Sequence, residues 1–424
     1  MPARFGGVYY GWVLAVMLGI TQTITWGILY YGFSTFMPAM ETELGWTRGQ
    51  MSGALSLAIL LSGLAAAPVG HWLDHRGPRL LMTCGSIVAV ALLVAWSQVT
   101  SLLQFYVLWA LIGLTMATVL YEPAFVVITA WFERKRTRAM MVVTLMAGLA
   151  STIFFPIEAW LIEQQGWRPA LLTLAAFLAV TTILPHALLL RRRPEDIGQH
   201  VDGDPAGHEA RTAAARATKL SVTRALRQSS FRWLAVAFSL NSLASIAIYT
   251  HLISYFHDRG YEATLAASVS GLVGAMQVVG RIILGAFGDR VPLRVNAAVV
   301  LGLQPLAILS LLLVPGLPGI VIFVVFFGAS RGAVTLVRPS FVADIYGRER
   351  YGTIAGALAA FVTIATALAP VSAGAAYDLV GGYNPLLWTF AALSALAAGV
   401  VLLVREEART PEPLPSSATR PVAG

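Results

Sequence analysis

Five ionisable side chains, Glu122, Glu158, Arg281, Arg331 and Arg338, stand inside long apolar stretches of the chain. A charge at the centre of a bilayer costs about 2.5–3.5 kcal/mol on insertion scales, so such residues face a partner or water rather than lipid. Arg331 and Arg338 are seven residues apart, two helical turns, and are expected to look into one cavity together. Even if Glu122 cancels one arginine, two positive charges remain within the span. A guanidinium presents a planar fork that binds a carboxylate through two hydrogen bonds, which points to an anionic ligand, most simply a small organic acid. Trp26, Tyr30 and Tyr31, with Gln22 beside them, and Asn241, Ser245, Tyr249 and His251 on a second stretch offer the aromatic and polar wall of a small pocket. Taken singly, each also reads as glue between membrane helices, and His251 as a hydrogen-bonded neutral histidine. Glu158, toward the end of its stretch, reads as an interfacial residue rather than a ligand.

A second cluster is of another kind. In GHWLDHRGPR, Gly70 to Arg79, the charges Asp74, Arg76 and Arg79 fall within six residues behind a glycine and around Gly77-Pro78. These charges can act as a conformational latch, or they can anchor a loop at the membrane surface; the second reading accounts for Arg76 and Arg79 but not for Asp74.

The elements that must position these residues are membrane helices. Hydrophobic residues make up 57% of the 424 positions and charged ones 12%, and the mean hydropathy is +0.72. Soluble domains do not have such a composition. Spanning hydrocarbon takes roughly 20 apolar residues. Twelve runs qualify: 8–36, 47–72, 79–97, 102–130, 138–162, 169–190, 232–256, 262–287, 293–314, 318–345, 351–376 and 384–404. The first is too long for a signal-peptide core and is expected to be retained. Cys84 is the single cysteine, so no disulfide forms within the chain.

Every even-numbered run ends on a basic loop: Arg76 and Arg79; Arg134, Lys135, Arg136 and Arg138; Arg191 to Arg193; Arg290 and Arg294; Arg348 and Arg350; Arg405 and Arg409. The alternate loops hold Arg48, Arg168 and Arg259. The excess of basic residues inside puts both termini in the cytoplasm and suits a cell inner membrane. The net charge of +8 is thereby a topology signal, and no nucleic acid need be invoked. The expected organisation is a six-helix unit over 1–190, a cytoplasmic linker over 191–231, a second six-helix unit over 232–404 and a disordered tail over 405–424. Within the linker, residues 220–234 read either as a short amphipathic helix on the membrane surface or as plain linker.

Sliding the sequence along itself by 215 positions brings the latch stretch onto GAFGDRVPLR: Gly70 onto Gly285, Asp74 onto Asp289, Arg79 onto Arg294. At offset 216, YEPAFV (121–126) meets VRPSFV (337–342). The chain is a duplicated six-helix unit, and a parallel duplication of this size places a site near mid-bilayer between two halves that rock. Glu122 and Arg338 occupy equivalent positions, each before a proline, Pro123 and Pro339, and an ion pair between them is expected. Such a pair is either a brace holding two helices or a switch in which protonating Glu122 frees Arg338 for substrate, and Glu122 is then the proton carrier.

The pattern G-x-x-x-D-x-R-G-x-R between helices 2 and 3, with its echo between helices 8 and 9, resembles the signature loop of the major facilitator superfamily. The resemblance implies an all-α membrane fold of twelve helices in two pseudo-symmetric six-helix bundles. It also implies a latch in which Asp74 meets a helix N-terminus of the other half while Arg76 and Arg79 pair across the rim, and in which Gly70 lets helix 2 approach a neighbour. YYGWVLA (9–15) and WFERKRTRAM (131–140) are similar to stretches of the bacterial monocarboxylate and oxalate/formate transporters. That branch implies a substrate-binding arginine on helix 8 four residues after a polar or acidic one, and Arg281 after Gln277 fits the place. Two features depart from the branch: Gln277 is neutral where several relatives have an acid, and neither helix 1 nor helix 11 carries a lysine.

The expected function is secondary active transport of a small organic anion by proton symport or anion exchange. The expected partners are the lipid bilayer, the anion and, if H⁺ is the coupling ion, protons; no obligate protein partner is inferred. No nucleotide-binding loop G-x-x-x-x-G-K-[ST] occurs, nor a hydrolase or metalloprotease motif or a metal-spaced His or Cys cluster, so neither an enzyme nor a cofactor or metal is expected. Proton-driven drug export is the rival. Its signatures are missing, since Trp109 stands four before Gly113 where those exporters carry arginine, and helix 5 lacks their glycine-proline run. A sensor built on a transporter scaffold is the alternative from another class.

Overall fold

A computed structural model describes residues 9–203, 228–287, 292–346 and 351–404, which are helical throughout apart from short connections. Twelve helices are long and apolar enough to cross a bilayer. They are α1 (Tyr10–Leu44), α2 (Arg48–Arg76), α3 (Pro78–Trp96), α4 (Leu102–Trp131), α5 (Arg138–Gln165), α6 (Trp167–Leu189), α7 (Ser229–Asp258), α8 (Ala263–Phe287), α9 (Leu293–Leu313), α10 (Leu317–Tyr346), α11 (Tyr351–Val380) and α12 (Tyr383–Val401). Each predicted run lies on one of them. The largest difference is α1, whose last turns carry Glu41 and Glu43 and so lie beyond the apolar run; it ends where Gly45 turns left-handed at φ 68°. Thr47 and Gln50 then cap α2 reciprocally, each side chain bonded to the other's backbone N–H.

Alternation puts both chain ends and the even-to-odd connections at one end of the bundle, here the terminal end, and the odd-to-even connections at the other, the distal end. The two halves pair their helices alike: α2 with α4 as α8 with α10, α1 with α5 as α7 with α11, and α3 with α6 as α9 with α12. A glycine allows the closest of these approaches in each half. A Cβ on Gly113 would collide with the backbone of Ala58, and one on Gly280 with that of Ala329. Across the halves α2 packs on α11, α5 on α8 and α1 on α7.

Four large apolar clusters organise the interior among the described residues, with a smaller fifth around Val69, Leu73 and Ala117. Toward the distal end the clusters cross between halves: Ala367 of α11 joins the cluster of Phe33, Trp96 and Trp109, and Phe155 and Ala159 of α5 join that of Tyr249, Phe256 and Phe323. Toward the terminal end each half keeps its own, around Trp131 and Phe132 in one and around Phe231 and Phe341 in the other. Among the described residues, then, the apolar clusters join the halves distally and stay within each half toward the terminal end. Leu103, Val180, Leu313 and Leu368 are each more than half exposed on the helices, an outer surface suited to hydrocarbon.

Three interruptions matter for the site. Residues Trp26–Tyr31 of α1 form a π-helical segment. α4 breaks at Leu120, whose ψ is −152°, because Pro123 has no N–H to give the carbonyl of Val119; Gln22 Nε2 supplies that bond instead at 2.7 Å. α5 is interrupted between Ala147 and Ala150.

Part of the central connection is ordered on the first half. The Asp202 carboxylate accepts the backbone N–H groups of Glu133, Arg134 and Lys135 at 2.8–3.2 Å, which ties residues 194–203 to the α4–α5 turn. Of the 220–234 segment, residues from Ser229 onward begin α7; the remainder, like the expected tail over 405–424, lies outside the described residues.

Candidate functional site

Arg331 of α10 and Arg281 of α8 are half-buried, and among the described residues neither makes an ion pair. Arg331 Nη1 donates to Ser245 Oγ at 2.8 Å, and its guanidinium lies 4.4 Å over the ring of Tyr249. Arg281 Nη1 donates to the carbonyl of Thr144 at 2.8 Å, at the interruption in α5 where Gly148 leaves it room. Both Nε atoms are buried without a hydrogen-bond partner. A buried N–H of a charged group left without an acceptor is costly, so each fork has capacity for an incoming anion.

Aromatic rings join the two arginines into one site. Trp26 meets Tyr30, Tyr31 and Tyr121 at centroid distances of 5.0, 6.1 and 5.0 Å. Tyr31 in turn meets Phe155 at 5.7 Å and Tyr249 at 5.5 Å. The π-helical segment accounts for the first set, since its i to i+5 closure lets both Tyr30 and Tyr31 reach Trp26. Tyr30 lies within electrostatic range of Arg331, and Tyr121 within that of Arg281. Tyr121 follows directly on the break at Leu120, so the proline that interrupts α4 also sets this ring. The sequence reading did not include Tyr121 or Phe155.

The other expected site residues divide. Gln277 is buried one turn from Arg281 with its Nε2 unpartnered, and its backbone packs on Gly332, next to Arg331, so that the two arginine-bearing turns of α8 and α10 adjoin. Asn241 is buried with Oδ1 unpartnered, and its carbonyl accepts from Gln304 Nε2 at 3.3 Å. His251 makes no hydrogen bond or ring contact with either arginine. It packs between α2 and α11 within hydrogen-bond distance of Ser52, Tyr383 and the carbonyl of Pro370, because α7 carries it two residues past Tyr249 to the distal side of the rings. The expected Glu122–Arg338 pair is not formed. Glu122 is exposed in the turn after the α4 break and makes no ion pair among the described residues, while Arg338 is half-buried two turns beyond Arg331 on α10. Glu158 is not interfacial either. It is fully buried, because α1 continues beyond its apolar run and lays Gly32 and Thr35 against it.

Closure of the distal end rests on Arg48, which the sequence marked only as a stray basic residue. Its guanidinium takes both oxygens of Asp258 at 2.6 and 2.7 Å, both of Glu41 through Nε, and the hydroxyl of Tyr383, and it stacks 4.3 Å from the Tyr377 ring. Arg76 lies over Trp72 of its own helix at 4.7 Å, Arg79 is exposed and Arg294 is half-buried. Nothing stands within 4 Å of where a Cβ on Gly70 would be, so the expected close approach is not made here. Gly285 lies on α8; Asp289 and the side chain of Asp74 lie outside the described residues.

Residues 12–318 and 296–423 match the family model described as Major Facilitator Superfamily. The chain is similar to monocarboxylate transporter 13 of Bos taurus, 26% identical over 398 residues covering 93% of this chain and 89% of that protein. It is also similar to monocarboxylate transporter 12 of Rattus norvegicus, 27% identical over 418 residues covering 93% and 84%. In fold it resembles a bacterial homologue of the human lysosomal transporter Spinster, solved in an inward-facing and unoccupied conformation. That likeness has a TM-score of 0.67 at 14% identity, covering 93% of this chain and 95% of that one.

Proposed function

The chain belongs to the major facilitator superfamily, and from that premise we propose that it carries a small organic anion, a monocarboxylate in the simplest case, across a membrane by alternating access. One observation carries the reading: Arg281 and Arg331 stand against one cluster of aromatic rings, Arg331 over Tyr249 and Arg281 within range of Tyr121, and neither is paired with a carboxylate among the described residues. A carboxylate entering from the terminal end would take the free N–H groups of one or both forks, and the rings of Trp26, Tyr30 and Tyr121 would enclose its short hydrocarbon part. Two uncompensated guanidinium groups oppose a lipophilic cation, which sets drug export behind anion transport. The names of the curated relatives support the same substrate class. Transport runs on an ion gradient or on exchange of a second anion, and the basic loops favour an inner cell membrane with both termini in the cytoplasm.

Counterflow of radiolabelled lactate into proteoliposomes tests the reading. The wild-type protein should exchange lactate and other short carboxylates, and Arg281→Lys should lower that exchange at least tenfold, since an ammonium cannot reproduce the fork. Exchange of tetraphenylphosphonium in place of lactate, undiminished by Arg281→Lys, would count for drug export. Binding of lactate without any flux would count for a sensor.

A further inference from the structure

Glu158 has features that neither the cavity nor the distal gate uses. It sits on α5 with no exposed surface, one turn distal of Phe155. Thr35 Oγ1 of α1 donates to its Oε2 at 2.8 Å. Its Oε1 has no hydrogen-bond partner and lies against Gly32, where an added Cβ would stand 3.0 Å away. The ionisable groups on the surrounding helices include Tyr30, Tyr31, Glu41 and Glu43 of α1, Tyr249, His251, Tyr255 and His257 of α7, and Arg281 of α8. At the distal end stand Glu163, Arg48 and Asp258. None of these acts on the Glu158 carboxyl, whose single partner is the Thr35 hydroxyl.

A carboxylate held by one hydroxyl, closed off from solvent and with no cation paired to it among the described residues, is among the most costly arrangements a membrane interior can hold. The same group with a proton on Oε1 is an ordinary buried acid. Its burial also depends on how the halves stand. The neighbours Phe155 and Ala159 pack in the cluster formed by α7 of the other half, and Phe155 touches both Tyr31 and Tyr249, at 5.7 and 5.9 Å. Movement of α7 away from α1 and α5 uncovers Phe155 and Ala159 and lets distal water reach the carboxyl. On the other side the ring layer of Tyr31, Phe155 and Tyr249 stands between it and the cavity.

We propose that Glu158 is the proton-binding site that couples closure of the distal end to anion transport. Distal water gives a proton to Oε1 when the halves part there; closure buries the neutral acid; the proton returns to water through the cavity side when the Phe155 layer yields. The proposal rests on the anion-transport reading above and assigns to Glu158 the proton role expected of Glu122.

Infrared spectroscopy of the protein in phosphatidylcholine–phosphatidylglycerol vesicles tests the site without any substrate. At pH 7 the wild-type spectrum should contain a protonated-carboxyl C=O band that Glu158→Gln removes. Thr35→Val, which takes away the one donor but keeps the acid, should move that band to higher frequency. Identical spectra for wild type and Glu158→Gln, or a band indifferent to Thr35→Val, would overturn the proposal. In the same vesicles Glu158→Gln should still exchange lactate but no longer accumulate it on an imposed proton gradient; gradient-driven accumulation by this variant would also overturn it. A wild-type protein that moves no carboxylate would instead remove the transport reading, and the infrared result would still decide the protonation of Glu158.

Discussion

Arg48 and Asp258, 210 positions apart, face each other as fork and carboxylate, Nη1 to Oδ2 at 2.6 Å and Nη2 to Oδ1 at 2.7 Å, and so clasp α2 of the first half to α7 of the second. Tyr377 completes the clasp by donating to Asp258 Oδ2 at 2.9 Å. On the same side Glu163 Oε1 accepts the Thr264 N–H at 3.0 Å and Asp378 Oδ2 accepts the Gly49 N–H at 3.0 Å. The Tyr377–Asp258 bond lies within the second half; the others cross between the halves, so each of those must break when the distal end opens.

Arg48→Ala should shift the protein toward the distal-open arrangement. The arginine side chain is 5% exposed, and removing one member of a buried pair costs about 3–5 kcal/mol. With Ser52→Cys in a Cys84→Ser background, labelling by an impermeant maleimide from the distal side should speed up at least tenfold when Arg48→Ala is added. Ser52 is buried beside His251 while the clasp holds, and an unchanged labelling rate would mean that the clasp does not govern closure.

Gln22→Leu should destabilise the protein by roughly 1–3 kcal/mol, the usual cost of a buried carbonyl left without a donor, here that of Val119. The origin of the effect is checked by Pro123→Ala, which restores a backbone N–H for the same carbonyl. Thermal denaturation of the two single variants and the double variant should show the Gln22→Leu loss shrinking in the Pro123→Ala background. Additive losses would contradict the account of the α4 break.

Glycine substitutions should separate standing contacts from contacts of another state. Gly113→Val and Gly280→Val force side chains into the backbones of Ala58 and Ala329 and should cost about 1–3 kcal/mol or more each. Gly70→Ala meets nothing within 4 Å and should leave the melting temperature within a degree or so, yet slow lactate exchange if α2 must close on a neighbour there during the cycle. Exchange at the wild-type rate would release Gly70 from the latch.

The sequence made the fold legible because each helix is an unbroken apolar run closed by a turn signal, and the duplication is preserved in the paired stretches at 70–79 and 285–294. Arg281 and Arg331 were legible for the same reason: a charge within such a run is expensive enough to demand a purpose. The trio Trp26, Tyr30 and Tyr31 was visible, but ordinary helical spacing turns Tyr31 away from Trp26; the π-helical closure that gathers them is set by packing. Arg48 and Asp258 were hidden, since charges at helix ends are commonplace and their pairing depends on how the halves meet. Glu158 was misjudged because distance from a helix end gives depth, whereas burial came from α1 running on beyond its apolar stretch. The Glu122–Arg338 pairing was not legible, because repeat symmetry states which positions correspond, not whether they touch in a given arrangement of the halves.

The central claim, that Arg281 and Arg331, unpaired with any carboxylate among the described residues, receive a carboxylate, is tested most directly by calorimetric titration of the purified protein with lactate and with lactamide, its uncharged counterpart of nearly equal shape. The account predicts that lactate binds and lactamide does not, and that Arg331→Lys and Arg281→Lys each weaken lactate binding at least tenfold, or about 1.4 kcal/mol. Equal affinity for the two ligands, or lactate affinity unchanged by both substitutions, would contradict it.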